Sequence, residues 1–198
     1  GGAESIHAHM EDWLQCEWWD WKVYVANVTE QYAQIAVVGP NARQVLERAA
    51  NLARSHGYRQ QLLDMENILG EMDMADGNLD AASERHRSAI GIARDLSDDF
   101  GTGWSLRNLA EDLLKIGGES NQLEAGKLLE ESLEFCRKAG QPENLVVTLV
   151  SLLDNWDGLG LKVDFRARVL EELGTLARKV KSKKYLEIYR KHGGTKEE

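Results

Sequence analysis

His7 and His9, flanked by Glu4 and Glu11, are side chains of the kind that hold metals. On a helix, residues two apart face different directions, and no third ligand follows at a usual spacing, so the pair reads as solvated histidines. The stretch MDMADGNLDAASE resembles a calcium loop until its positions are counted. With Gly77 in the sixth place, Met72 and Met74 fall where the first and third ligands belong and Ser83 falls at the twelfth, so the carboxylates are missing. GTGWSL, beginning at Gly101, opens like a phosphate loop but lacks the later glycine and lysine and follows a helix instead of a strand. Local spacing suggests no Ser, His and Asp set and no Cys and His set. Cys16 and Cys136 are the two thiols, too few for a disulfide framework or a thiolate zinc site, and they read as reduced structural residues. The expectation is a chain with no catalytic residue, no metal and no cofactor-binding residue.

Charge narrows the partners. The chain carries a net −9, with an acidic body and a basic end at Lys179, Lys181, Lys183, Lys184, Arg190 and Lys191. Nucleic-acid binding rests on neutralising phosphates with Lys and Arg, so an acidic body argues against it and suits a basic or amphipathic protein or peptide. The basic end reads as a solvated helix terminus, where cations are favourable. No apolar run approaches the roughly 20 residues of a membrane span, and no basic and apolar leader pattern opens the sequence. The expected location is the cytoplasm.

Elements able to position side chains divide at a seam near Ala49 and Ala50. Before it, KVYVANV and AQIAVVG are β-branched runs of strand length, closed by Gly39 and Pro40. After it the strand signal stops and helical hairpins repeat. Aligning Gly77, Gly117 and Gly160, each at the end of a first helix, gives periods of 40 and 43 residues. Leu69, Gly70 and Glu71 then match Leu109, Ala110 and Glu111, followed by Leu152, Leu153 and Asp154. In the second helices, Ala82, Ile90, Ile92, Ala93 and Arg94 match Ala125, Leu133, Phe135, Cys136 and Arg137. Small residues recurring at fixed positions let paired helices approach closely, and stacking buries the face each hairpin leaves open. The predicted fold is mainly α: an α-solenoid of about three hairpins with a short N-terminal α+β segment.

LRNLAEDLLKIGG followed by LEAGKLLEESLEFCRKAG, and ILGEMDMADGNLDAASERHRSAIGIARDL, resemble the tetratricopeptide repeat family across residues 58–178. The periods exceed that family's usual 34, and HEAT-type hairpins compete. The resemblance implies a concave groove, lined by first helices, that takes a peptide or a helix. In this register the groove residues are Asn67, Glu71, Arg107, Asn108, Glu111, Lys115 and Asp154. Asn108 stands out because an amide pairs with both donors and acceptors of an extended peptide. Trp104 and Trp156 are placed inside first helices as packing residues.

GGAESIHAHMEDWLQCEW and VTEQYAQIAVVGPNARQVLERA, in residues 1–50, resemble the family of the sarcosine oxidase α subunit and the glycine-cleavage aminomethyltransferases. That family's complete domain binds tetrahydrofolate and handles a one-carbon unit, and the resemblance covers a fragment of it. No catalytic residue is carried over. Trp13, Trp18, Trp19 and Trp21 read as a staple over a truncated sheet, and the sequon at 27–29 is silent in a cytoplasmic strand.

The domain boundaries expected are therefore 1–50 for the strand-helix segment, 51–192 for the repeats and 193–198 for a disordered tail. No Gly, Ser or Pro linker separates the first two, and NARQVLERAANLARSHG runs across the seam as one helical pattern. The leading functional expectation is a non-enzymatic interaction scaffold, with an exposed repeat end offering a homodimer surface. The alternatives are a tetrahydrofolate-dependent one-carbon enzyme component and an artificial fusion without an integrated function.

Overall fold

The structure, a computed structural model, describes residues 41–194, which fall almost wholly within one compact unit, Arg43–Glu198. The predicted strands, the tryptophan cluster, the His7 and His9 pair and the residues of the tail beyond Gly194 lie outside the described residues. Within them the chain forms α1 (Ala42–His56), α2 (Arg59–Ala75), α3 (Leu79–Leu96), α4 (Asp99–Ile116), α5 (Glu119–Ala139) and α6 (Pro142–Asp154). A short 3-10 turn (Trp156–Gly158), α7 (Val163–Lys179) and α8 (Lys183–Lys191) complete it. No strand occurs among the described residues. From α2 onward each helix packs on the next, and the first helices α2, α4 and α6 also touch in sequence, which is the arrangement of a mainly α solenoid.

Local sequence sets the boundaries. Asp98 caps α4 by accepting a hydrogen bond from the Gly101 N–H at 2.9 Å, Ser182 caps α8 from Tyr185, and Pro142 opens α6. Gly77 and Gly117 close the first helices α2 and α4 with φ of 82° and 79°, a region where a side chain is strained, whereas Gly160 does not end a first helix: α6 stops at Asp154, and Gly160, with φ of 65°, lies beyond the 3-10 turn.

The repeat is written in burial as well as sequence. Ala82, Ser83, His86, Ala89, Ile90 and Ala93 are buried on α3, and each has a buried counterpart 43 residues later on α5: Ala125, Gly126, Leu129, Ser132, Leu133 and Cys136. The third second-helix, α7, keeps the later part of this pattern through Leu173, Gly174 and Ala177. Its start departs because Arg166 stands where Ala125 stands in α5 and cannot enter the core. The main core gathers Leu106, Leu109, Leu129, Leu133, Leu149, Leu152, Val169 and Leu173 from α4 to α7. Each fully buried aliphatic side chain of this kind contributes roughly 1.5–3 kcal/mol of transfer free energy.

One helix crosses the seam: Ala49 and Ala50 lie in the interior of α1. The helix ends as the second helices do, with buried Ala53 before Arg54, matching Ala93 and Arg94, Cys136 and Arg137, and Ala177 and Arg178. The arginine row ties the stack together. Arg54 reaches Glu66 at 2.6 Å, Arg94 reaches Glu131 at 2.6 Å, Arg137 reaches Glu172 at 2.6 Å, and Arg178 lies over the Tyr189 ring. With only Ala50 and Ala53 buried, α1 is held largely by charge: Arg43 pairs with Asp73 and Asp76, and Arg85 on α3 reaches both Asp73 and Glu66.

Trp156 does not sit inside a first helix. α6 ends at Asp154, and Trp156 lies in the 3-10 turn with its ring 6.1 Å from that of Phe165.

Candidate functional site

The surface between α4 and α6 forms a groove. At one end a hollow of about 400 Å³ is lined by Glu111, Leu114 and Lys115 of α4 and by Val147, Val150 and Asp154 of α6. At the other, a hollow of about 380 Å³ is lined by Phe100, Trp104 and Arg107 of α4 and by Asn144 and Val147 of α6. Val147 belongs to both and is 45% exposed, so an aliphatic floor residue meets solvent midway along the groove. Side chains three or four apart share a helix face, which is why Phe100, Trp104, Arg107, Glu111 and Lys115 line up along α4.

Charge rims this floor. Arg107 Nη1 donates to Glu111 Oε1 at 3.0 Å, and Lys191 Nζ donates to Asp154 Oδ1 at 3.0 Å. Two donors beside the second hollow, Arg107 Nε and Asn144 Nδ2, are buried with no acceptor. A ligand carbonyl or carboxylate would satisfy such groups, which are costly to leave unpaired.

Of the residues that the repeat register grouped, Arg107 lines the second hollow, and Glu111, Lys115 and Asp154 line the first. Glu71 lies one helix away, where its Oε1 accepts from Trp104 Nε1 at 2.9 Å and from Asn108 Nδ2 at 3.0 Å. Two expected groove residues are instead interior. Asn67 is fully buried, donating to Ser105 Oγ at 2.9 Å and to the Leu63 carbonyl. Asn108 is buried with its amide committed to Glu71. Each amide thus bonds between α2 and α4 and is not presented to the groove. Trp104 departs from a simple packing role in the other direction: it is half-buried, bridges α2 to α4 and faces the groove. Phe100, Asn144 and Val147 had no part in the expected site, although Val147 occupies the Trp104 position one period later.

Among the described residues no group of three or more His, Cys, Asp or Glu is placed to hold a metal ion, and no helix is long and apolar enough to cross a membrane. Cys136 is a buried free thiol between Ser132 and Thr148.

No family model matches the sequence. The chain is 35% identical over 123 residues to the sarcosine oxidase subunit alpha of Corynebacterium sp. (strain U-96), which is 61% of this chain and 12% of that protein. It is 33% identical over 123 residues to the subunit alpha of Corynebacterium sp. (strain P-1), again 61% of this chain and 12% of the relative. The chain thus spans about an eighth of the length of the curated relatives it matches. A match of 123 residues cannot be contained in residues 1–50, so it includes residues of the helical part as well.

Proposed function

We propose that the chain is an interaction module of tetratricopeptide type, and that the α4/α6 groove receives an extended peptide from a partner protein in the cytoplasm. The observation that carries this reading is the exposed apolar floor centred on Val147, set between a charged rim and two unpaired buried donors. An extended peptide offers alternating side chains to the floor and carbonyls to Asn144 and Arg107. The carboxylates Glu111 and Asp154 favour basic side chains along its edge. Selection from a displayed peptide library, followed by titration of the selected peptides, tests this. Val147→Asp, a change at an exposed position, should weaken binding by about tenfold or more. Recovery of no binding peptide, or equal binding by the variant, would sink the reading.

A second reading, favoured by the 123-residue match, is a component of a sarcosine oxidase-like, tetrahydrofolate-dependent one-carbon enzyme. Titration with tetrahydrofolate separates the two: no binding at millimolar ligand removes the enzyme reading and leaves the groove untouched.

A further inference from the structure

We propose that a second cavity, between α5, the loop at 159–162 and the start of α7, binds a small organic anion carried on an apolar tail. The cavity measures about 460 Å³ and shares no lining residue with the α4/α6 groove, so it stands apart from the peptide reading. That volume lies in the range of small-molecule sites.

Its walls divide by chemistry. Leu123, Leu161 and Phe165 make an apolar floor, and Lys127, Lys162 and Arg168 stand around it. Arg168 covers the Phe165 ring at 5.4 Å, and among the described residues no carboxylate pairs with any of the three cations. Glu130 is the sole carboxylate in the lining. A local excess of positive charge in a chain of net −9 is a reversal of sign that selects anions.

Apolar surface at the mouth calls for more than a bare ion. Leu123 of the lining is 43% exposed, so a ligand with a hydrocarbon tail covers surface that water meets at a cost. The site is also pre-formed. A Cβ on Gly126 would strike the Leu159 carbonyl, one on Gly160 would strike Leu123, and one on Gly158 would lie 2.9 Å from Gln122. These close contacts seat the loop on α5 and fix the cavity wall before a ligand arrives.

Calorimetric titration of the full chain with sodium octanoate tests the site. Saturable, salt-sensitive binding is expected, weakened about tenfold by the double change Lys162→Glu with Arg168→Glu, since a charge-assisted contact is lost. Octanol, which has the same tail without the charge, should bind at least as much more weakly. Leu123→Asp, at an exposed position, should reduce octanoate binding through the floor, with circular dichroism confirming an unchanged helix content in each variant. Four results would overturn the proposal: no octanoate binding at millimolar concentration, binding indifferent to the charge reversals, octanol matching octanoate, or an acidic peptide occupying the site that octanoate cannot displace.

Discussion

His86 Nδ1–H donates to Asp112 Oδ2 at 2.6 Å, and both side chains are wholly out of solvent. The bond joins α3 of one hairpin to α4 of the next, so it fixes how successive hairpins stack. Gly70 on α2 makes it possible, because a Cβ there would collide with the imidazole ring. One repeat later the corresponding positions are Ala110 and Leu129, an apolar solution to the same packing problem.

Removing one partner of a buried polar pair strands the other. His86→Ala and Asp112→Ala should each cost about 3 kcal/mol in urea unfolding, and the double variant should cost clearly less than their sum. Gly70→Ala should cost about 1–3 kcal/mol through overpacking in the native chain and little in the His86→Ala background. Additive effects across these variants would show that the three residues do not act as one packed unit.

Arg85 is the shared member of the charge network that holds α1, since it reaches Asp73 at 2.7 Å and Glu66 at 3.2 Å while Arg43 and Arg54 hold the same carboxylates from α1. Arg43 is held more firmly protonated than a free guanidinium, chiefly by its hydrogen bond to Asp73. Arg85→Met leaves these two nearly buried carboxylates with one cation each. Destabilisation of about 2 kcal/mol is expected, discounted for the partial exposure of the arginines. Hydrogen exchange should accelerate in residues 42–56 before it does in α4 to α6. Uniform acceleration along the chain would place the network's effect elsewhere.

How much of this was legible in the sequence follows from what repeats. Gly77 and Gly117 marked the ends of first helices because a positive φ favours glycine there, Gly160 marked only a later turn after the 3-10 segment, and the 43-residue shift carried the burial pattern from α3 to α5 residue by residue. The lining of the α4/α6 hollows was legible only in part. Arg107, Glu111, Lys115 and Asp154 were reached through the register alone. Asn67 and Asn108 misled because a polar residue beside a close helix crossing looks the same in sequence whether it faces solvent or stitches two helices. Val147 was invisible as a site residue, since an aliphatic residue in a helix is read as core unless its neighbours' packing is known. The His86 and Asp112 bond joins residues from different hairpins at places where the repeat itself breaks, so no period could announce it.

His192 shows how acid should act on the last helix. It follows α8 with Nε2 3.3 Å from Asp154 Oδ1, and its pKa is lowered, mainly by burial, with Lys191 and Arg166 adding to the effect and Asp154 opposing it. A lowered pKa means the unfolded chain binds this proton more readily than the folded one. Its contribution to stability is therefore complete above the ordinary histidine value of about 6.5 and is lost as pH falls below it. Hydrogen-exchange protection in residues 183–191, taken relative to the intrinsic exchange rate at each pH, should fall between neutral and mildly acidic pH, and His192→Gln should flatten that dependence. A steeper dependence in the glutamine variant would reverse the assignment.

Asp64 on α2 works in the opposite sense. Burial first, and the nearby charge of Asp98 second, raise its pKa above the usual carboxylate range. Asp98 cannot withdraw, because it caps α4 through the Gly101 N–H and accepts from Gln60 Nε2 at 3.1 Å. For a carboxyl with a raised pKa, the folded chain holds the proton more readily. Its favourable contribution is complete below the unfolded value of about 3.9 and is lost as pH rises through the folded value, leaving an ionised Asp64 that opposes folding at neutral pH. Asp64→Asn keeps the shape and removes the charge. Thermal unfolding should show the variant melting higher than the native chain at pH 7, with the gap closing as the pH is taken below about 4. A gap that persists unchanged in acid would mean that the gain comes from the amide's contacts and not from the lost charge.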